Sequence, residues 1–452
     1  MVKIAFIGAG SISFTRRLVR DILSFPELQQ STLALMDIDE DRLEKSRAMT
    51  QVLVDEHDLP TTVEATTDRR EALEGADYVM CAIHVGGEEP FRNEIEIPQQ
   101  YGVNQAVGDT LGPGGVFRAL RTIPTMVDLA RDMEELCPDA PLLQHTNPMA
   151  MVCWAIEEAT EIDVYGICHS VQGTAHDLAE YVDVPFEDVE YWVAGINHMA
   201  WFLEFESEGR DLYPDLRAVM NDRESEAYAD DVVRFETMRH FGHFITESSQ
   251  HLSEYLPYFR TSEAQIDELT ERSNYREDPD EFEYSPVCWM PTGEYLKQWS
   301  SIDPTDAFDI EEMDRSLDRS AEYASRIVHS LETGEGRRMN LNVPNAGPDG
   351  DGGALISNLP DEALVEVPCL VDGTGVNPCS VGALPSQLAA LNRTNINVQQ
   401  QGVRAALDRD EDALRRAVKL DPLTSAVCTL EEADELVDEL LAANADYLPE
   451  LS

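Results

Sequence analysis

The chain opens on a strand, a glycine turn and a helix, and no other stretch restricts its fold as much. Lys3-Ile4-Ala5-Phe6-Ile7 is a short apolar run of buried-strand character. Gly8-Ala9-Gly10-Ser11-Ile12-Ser13 follows, then a helical pattern from about Phe14 to Leu23. Glycines at such a turn let the backbone approach a pyrophosphate, and the helix N-terminus adds N–H groups and partial positive charge. A second strand, Thr32-Leu33-Ala34-Leu35-Met36, ends at Asp37. An acid there can bind adenosine ribose hydroxyls and selects NAD over NADP. Gly8, Gly10, Ser11 and Asp37 are therefore candidate NAD contacts. Ser13 departs from the third glycine of G-x-G-x-x-G, and a tight turn without a nucleotide is the competing reading.

The alternation of strands and helices continues. Leu43 to Glu56 reads as a helix, and Ala76 to Ile83 as a strand ending in the loop His84-Val85-Gly86-Gly87. Ala119 to Leu136 reads as a helix, and Pro141 to Thr146 as a strand running into Asn147-Pro148. Such alternation predicts a Rossmann-type, doubly wound parallel sheet. After Val193-Ala194-Gly195 the pattern changes. Trp201 to Phe205 alternates like an antiparallel strand, Asp230 to Phe241 is helical, and residues 261–284 look like an acidic surface helix and loop. A helix over Asp318 to Thr333, a strand over Val365 to Val371 and closing helices complete the chain. We expect an NAD-binding domain over residues 1–195 and a mixed α+β domain over 196–452, the two-domain architecture of lactate and malate dehydrogenases.

Two stretches invite a substrate. Gly108-Asp109-Thr110-Leu111-Gly112-Pro113-Gly114-Gly115 precedes the helix that carries Arg118 and reads as a loop that can cover a ligand. Arg118 suits a substrate oxygen, or equally an ion pair on the surface. Asn147, held by Pro148 at a strand end, suits a sugar hydroxyl or the nicotinamide ribose, or equally an Asx-type turn.

Acidic residues number 87 against 33 Lys plus Arg, a formal charge of -54. Hydrophobic content of 43% makes this a folded chain and not an acidic disordered one. The charge disfavours nucleic acid and anionic membrane as partners. Because salt near 1 M shortens the Debye length to roughly 3 Å, a salt-rich cytoplasm explains how the fold tolerates it. The eight Cys form no C-x-x-C pair, and Met1 leads directly into a strand with no apolar leader or span. Both point to a reducing cytoplasm.

Val164-Tyr165-Gly166-Ile167 reads as a strand with Cys168 and His169 at its carboxyl end, and His198 follows the apolar run Tyr191 to Ile196. Ligands collect at such strand ends. A thiolate and an imidazole there could share a metal ion and leave positions open for substrate oxygens. The plainer reading is a small core hydrophobe and a hydrogen-bonded histidine.

Taken together, IAFIGAGS, LMDID, GDTLGPGGVFRALRTIP, NPMAM, CHSVQGTA, AGINHMA, TESSQHLSEY, VEVPCLVD and LPSQLAALNRTNINVQ resemble glycoside hydrolase family 4, and within it the bacterial melibiase-type α-galactosidases. The resemblance spans nearly the whole chain. It implies the NAD-dependent route that departs from two-carboxylate hydrolysis. Bound NAD oxidises the sugar C3 hydroxyl, which acidifies the C2 proton. A divalent metal, usually manganese, holds the C2 and C3 oxygens. A base takes the C2 proton, the glycosidic oxygen leaves, water adds at C1, and the retained NADH reduces C3. By the resemblance Cys168 and His198 are the metal ligands, Gly8, Gly10 and Asp37 contact NAD, and Asn147 contacts substrate. A thiolate alone would favour zinc, so manganese rests on the resemblance. His169 takes the place of the leaving-group acid. For the C2 base the resemblance points to TESSQHLSEY, with Glu247 the first choice, His251 the second and Tyr255 the third. It also implies a homodimer or tetramer acting on a small saccharide. The same mechanism on an α-glucoside or hexuronide, and an NAD-dependent 2-hydroxyacid dehydrogenase without metal, are the rival expectations. A non-catalytic NAD or sugar sensor is a third.

Overall fold

The computed structural model describes residues 1–275, 290–301, 310, 312–346 and 353–452. Six parallel strands come first: β1 (Val2–Ile7), β2 (Ser31–Met36), β3 (Thr62–Thr66), β4 (Tyr78–Cys81), β5 (Leu142–Gln144) and β6 (Val164–Gly166). They lie in the order β3-β2-β1-β4-β5-β6, the doubly wound arrangement expected from the sequence. β4 and β5 are buried at every residue. That is why they read as largely apolar runs: helices cover both faces of a parallel sheet.

The sheet does not stop at β6. It continues through β7 (Val189–Ile196), β8 (Met199–Ser207), β9 (Arg210–Asp211), β10 (Arg337–Pro344), β11 (Leu364–Asp372) and β12 (Gly375–Pro378). β10 pairs antiparallel with β6, β11 with β10, and β7 with β11, and then β8 and β9 follow, with β12 also on β11. The long helix Ser386–Asp408 packs against the helices Gly112–Leu136 and Met149–Ala159. One continuous apolar core, including Phe6, Leu143, Trp201 and Val365, runs beneath both halves. Among the described residues no helix is long and apolar enough to cross a membrane.

Two expectations need correction. The glycine-rich stretch is a covering loop only as far as Leu111, because the helix begins at Gly112. Pro113 sits in its first turn, where a missing N–H costs nothing. A Cβ on Gly114 would lie 2.4 Å from the Gly108 carbonyl oxygen, and one on Gly115 2.4 Å from the Thr110 carbonyl carbon. These glycines serve close packing of the helix start on the preceding loop. The helix expected from Asp318 begins at Ala324. Upstream of it, Ser320 donates its backbone N–H at 2.8 Å and its hydroxyl to the Asp21 carboxylate, which pins that segment to the helix Ile12–Leu23. Of the acidic stretch 261–284, Glu263–Arg272 is helical, and residues 276–284 lie outside the described residues, as does most of the loop Asp349–Gly353.

Candidate active site

The nucleotide turn is built from backbone. Gly8 has φ +93°, and a Cβ there would lie 2.1 Å from the Ala82 carbonyl oxygen. Gly10 donates its N–H to Asp37 Oδ2 at 2.7 Å, and a Cβ on Gly10 would lie 2.6 Å from that oxygen. Asp37 Oδ1 accepts from the Asp39 N–H at 3.0 Å. The turn thus presses directly against the acid at the end of β2. Ser11 precedes the helix Ile12–Leu23 and makes no side-chain cap bond, so the first-turn N–H groups are left for another acceptor. Ser13 is exposed. No close approach is required there, which explains why the third glycine is dispensable. The residues fit a dinucleotide.

A second cluster forms at the carboxyl ends of β5 and β6. Cys168 follows β6. His198 occupies the two-residue turn between β7 and β8, and Glu247 precedes the helix Ser249–Tyr255. Ligand atoms of Cys168, His198 and Glu247 lie within 4.8 Å of one another, and all three residues are buried. Glu247 Oε2 is 3.5 Å from His198 Nε2 and 4.0 Å from Cys168 Sγ. Bonds of roughly 2.0–2.3 Å to a common divalent ion place donor atoms at such separations. His198 Nδ1 meets Thr110 Oγ1 at 3.3 Å and Tyr255 OH at 3.2 Å. These contacts orient the ring and leave Nε2 toward the cluster. His198 and Glu247 both hold left-handed backbone, at φ 61° and 70°. That conformation is uncommon for such residues, and it tends to persist at functional sites.

Glu247 Oε1 is 3.0 Å from His251 Nδ1, whose ring lies one helical turn further on. His251 Nε2 is 3.8 Å from Asp109 Oδ1. Burial disfavours the charged imidazole, but Glu247 and Asp109 outweigh it and raise His251 to about 9. Burial likewise disfavours the Glu247 carboxylate, yet His198 and His251 hold it well below the ordinary carboxylate range. His198 is lowered, chiefly by burial. Burial and the charges of Glu247 and Glu366 push the Cys168 thiol far up. A cation among these atoms is what would let the thiol ionise, so the donor set fits a divalent metal.

Asn147, joined to Pro148 by a cis bond, donates from Nδ2 to Asp109 Oδ2 at 3.0 Å, and Arg118 Nε donates to the Asn147 carbonyl at 3.2 Å. Arg118 is therefore part of this wall and not a surface residue. His169 is half exposed, and its Nδ1 lies 3.8 Å from Glu322 Oε1.

Sequence reasoning left Asp109, Thr110, Glu254 and Glu322 without a role. Glu254 is fully buried and accepts the N–H groups of Ala106, Val107 and Gly108 at 2.6, 3.0 and 3.1 Å. That grip holds the loop so that Asp109 and Thr110 reach His251 and His198. The usable signal was Asp109-Thr110 inside a glycine-rich stretch. Nothing local marks Glu254 or Glu322, which act across more than a hundred residues.

Comparison with known proteins shows the family and the fold. The model of the family 4 glycosyl hydrolases matches residues 3–184, and that of the family's C-terminal domain matches residues 193–424. An α-galactosidase of Bacillus subtilis strain 168 is 41% identical over 455 residues, with 100% of each chain covered. The crystal structure of a putative glucosidase, lplD, from Bacillus subtilis superposes with a TM-score of 0.82 at 26% identity, covering 98% of this chain and 100% of the other. A 6-phospho-β-glucosidase of Thermotoga maritima, solved with manganese, NAD+ and glucose-6-phosphate, superposes with a TM-score of 0.77 at 21% identity over 100% of both chains. The chain is a member of the family 4 glycosyl hydrolases.

Proposed function

We propose that the protein is an NAD- and divalent-metal-dependent α-galactosidase that cleaves its substrate by removing the C2 proton. One observation carries the reading. Cys168, His198 and Glu247 converge at the carboxyl edge of the sheet whose first turn is shaped for a dinucleotide. When bound, NAD would supply reversible hydride exchange with the sugar, and the metal, manganese by family expectation, would supply Lewis-acid stabilisation of its oxygens. The remaining work falls to the chain. Cys168 and His198 hold the cation. Glu247, kept ionised by its imidazole neighbours, takes the C2 proton, and His251 is the alternative base. His169 gives a proton to the leaving oxygen. Asn147 and Arg118 bind sugar hydroxyls. Gly8, Gly10, Ser11 and Asp37 hold the nucleotide. Residues 1–195 carry the nucleotide, and 196–452 complete the substrate site.

The likeness to a Bacillus subtilis α-galactosidase supports galactose as the sugar. Two buried carboxylates, Asp109 and Glu247, disfavour an anionic sugar electrostatically. A hexuronide is the second reading, favoured by the Arg118 guanidinium beside Asn147. The test compares p-nitrophenyl α-galactoside, α-glucoside and α-galacturonide, after NAD and metal are stripped and then restored. Turnover should need both additions and be fastest on the galactoside. Undiminished hydrolysis by the stripped protein would refute the mechanism. A preference for the galacturonide would refute only the sugar.

The charge of -54 and the scarcity of Lys support a salt-rich cytoplasm. The seven described cysteines, all free, support a reducing one. Family resemblance supports a homodimer or tetramer.

A further inference from the structure

Glu366 is the third residue of β11, fully buried, and among the described residues neither of its carboxyl oxygens has a hydrogen-bond partner. Burying such a group is costly, and an apolar residue of similar size would fold at least as well. Its position supplies a reason for it. In register Glu366 lies opposite Asn342 on β10 and Gly195 on β7, and Asn342 lies opposite Gly166 on β6. Directly opposed residues share a face of the sheet. Cys168 comes two residues after Gly166, and His198 three after Gly195, so each end of the row leads into a candidate ligand. A Cβ on Gly166 would lie 2.8 Å from the Asn342 Cβ, so that glycine leaves room for the asparagine.

The neighbours of Glu366 offer it no donor. Asn342 is oriented by its own bond from Nδ2 to the Gly166 carbonyl at 3.3 Å, and its Oδ1 has no partner. Asn197, beside His198, also has an Oδ1 without a partner. Among the described residues, these carboxyl and amide oxygens have no hydrogen-bond partner. Burial, then the charge of Glu247, raises Glu366 to about 8. Glu366 in turn is one of the charges felt by the Cys168 thiol.

We propose that Glu366 is a positioning residue for the divalent cation. Without touching it, its carboxylate and the amide oxygens of Asn342 and Asn197 raise the affinity of the Cys168, His198 and Glu247 site. The inference rests on the metal reading above. It is tested by titrating metal-free full-length protein with Mn2+ and following the electron paramagnetic resonance of the free ion. Glu366→Gln and Glu366→Met both remove the ionisable carboxyl, and the apolar isostere protects against a failure to fold. Either variant should bind Mn2+ about 10- to 100-fold more weakly, with a metal-free melting temperature equal to or above the parent's. An affinity unchanged within about twofold, or one lost in step with a falling metal-free melting temperature, overturns the proposal. Cys168→Ser separates the two ideas. If it too leaves Mn2+ affinity unchanged, the metal reading itself fails. If it weakens binding while the Glu366 variants do not, only the role of Glu366 fails.

Discussion

The nucleotide turn and the metal cluster lie on the same edge of one sheet, but they are made in different ways. The turn uses backbone: Gly8, Gly10 and the first turn of a helix are contiguous, and Asp37 closes them from the adjacent parallel strand. The cluster uses side chains from segments far apart in the chain, at residues 109–110, 147, 168, 198 and 247–255. A backbone site is fixed once the local fold forms. A side-chain site depends on many distant parts, including the left-handed turn at His198 and the grip of Glu254 on the loop before Asp109. The cluster should therefore be the more sensitive of the two to single side-chain changes.

The largest expected effect is that of Cys168→Ser. Removing a direct ligand should cost more in Mn2+ affinity than the roughly 10–100-fold of an outer-shell loss, and turnover should vanish with it. Binding of NAD, followed by fluorescence, should stay near the parent value. If NAD binding falls equally, the two sites are not separable.

Next comes Glu247→Gln. A lost general base costs about 10²–10⁴ in turnover, with Mn2+ affinity falling no further than the roughly 10–100-fold of an outer-shell loss. Because Glu247 Oε2 stands 3.5 Å from His198 Nε2, a third-ligand role has its own signature. In that case Mn2+ affinity would fall as far as in Cys168→Ser.

Gly10→Val tests the backbone site. The new Cβ would stand 2.6 Å from Asp37 Oδ2, so NAD affinity should fall about tenfold or more, about 1.4 kcal/mol. Mn2+ affinity should be unaffected, and a matching loss of metal binding would contradict the distinction.

The pair Glu247 and His251 gives a smaller, pH-dependent effect. His251 is raised from 6.5 to about 9, so its contribution is fully present below pH 6.5 and is lost as pH rises through 9. The linked stability is on the order of 3 kcal/mol. Glu247 is lowered, so its contribution is present above the ordinary carboxylate range and is lost on strong acidification. Thermal melts of the metal-free protein should decline between about pH 6.5 and 9, and His251→Gln should flatten that limb. An unchanged alkaline limb would contradict the ion pair.

The smallest and most diffuse effect concerns neither site. The net charge of -54 predicts a melting temperature that rises with KCl until repulsion is screened. A melting temperature indifferent to salt would remove the salt-rich cytoplasm.

The same contrast explains how much could be read from the sequence. Five of the six parallel strands and the glycine turn were legible because each strand is a short apolar run followed at once by its turn residues, whereas β3, mixed in polarity and mostly exposed, was not. Cys168 and His198 were legible as strand-end residues, and the resemblance assigned them together. The early helix start at Gly112 was not, since glycine and proline mark a loop unless tertiary packing calls for their small size or fixed φ. Asp109, Glu254 and Glu322 were missed because their partners are remote: Glu254 bonds residues 106–108, and Glu322 pairs with Arg17 and His169. Glu366 lay in plain sight in VEVPCLVD, but only strand register sets it beneath the cluster.

The central claim is that the sugar C2–H bond breaks during hydrolysis. Its most direct test is cleavage of an α-galactoside in D2O with NAD, Mn2+ and a reductant, followed by NMR of the released sugar. Deuterium at C2 of the product is the result expected here. Galactose released at full rate with no deuterium at C2 would contradict the account.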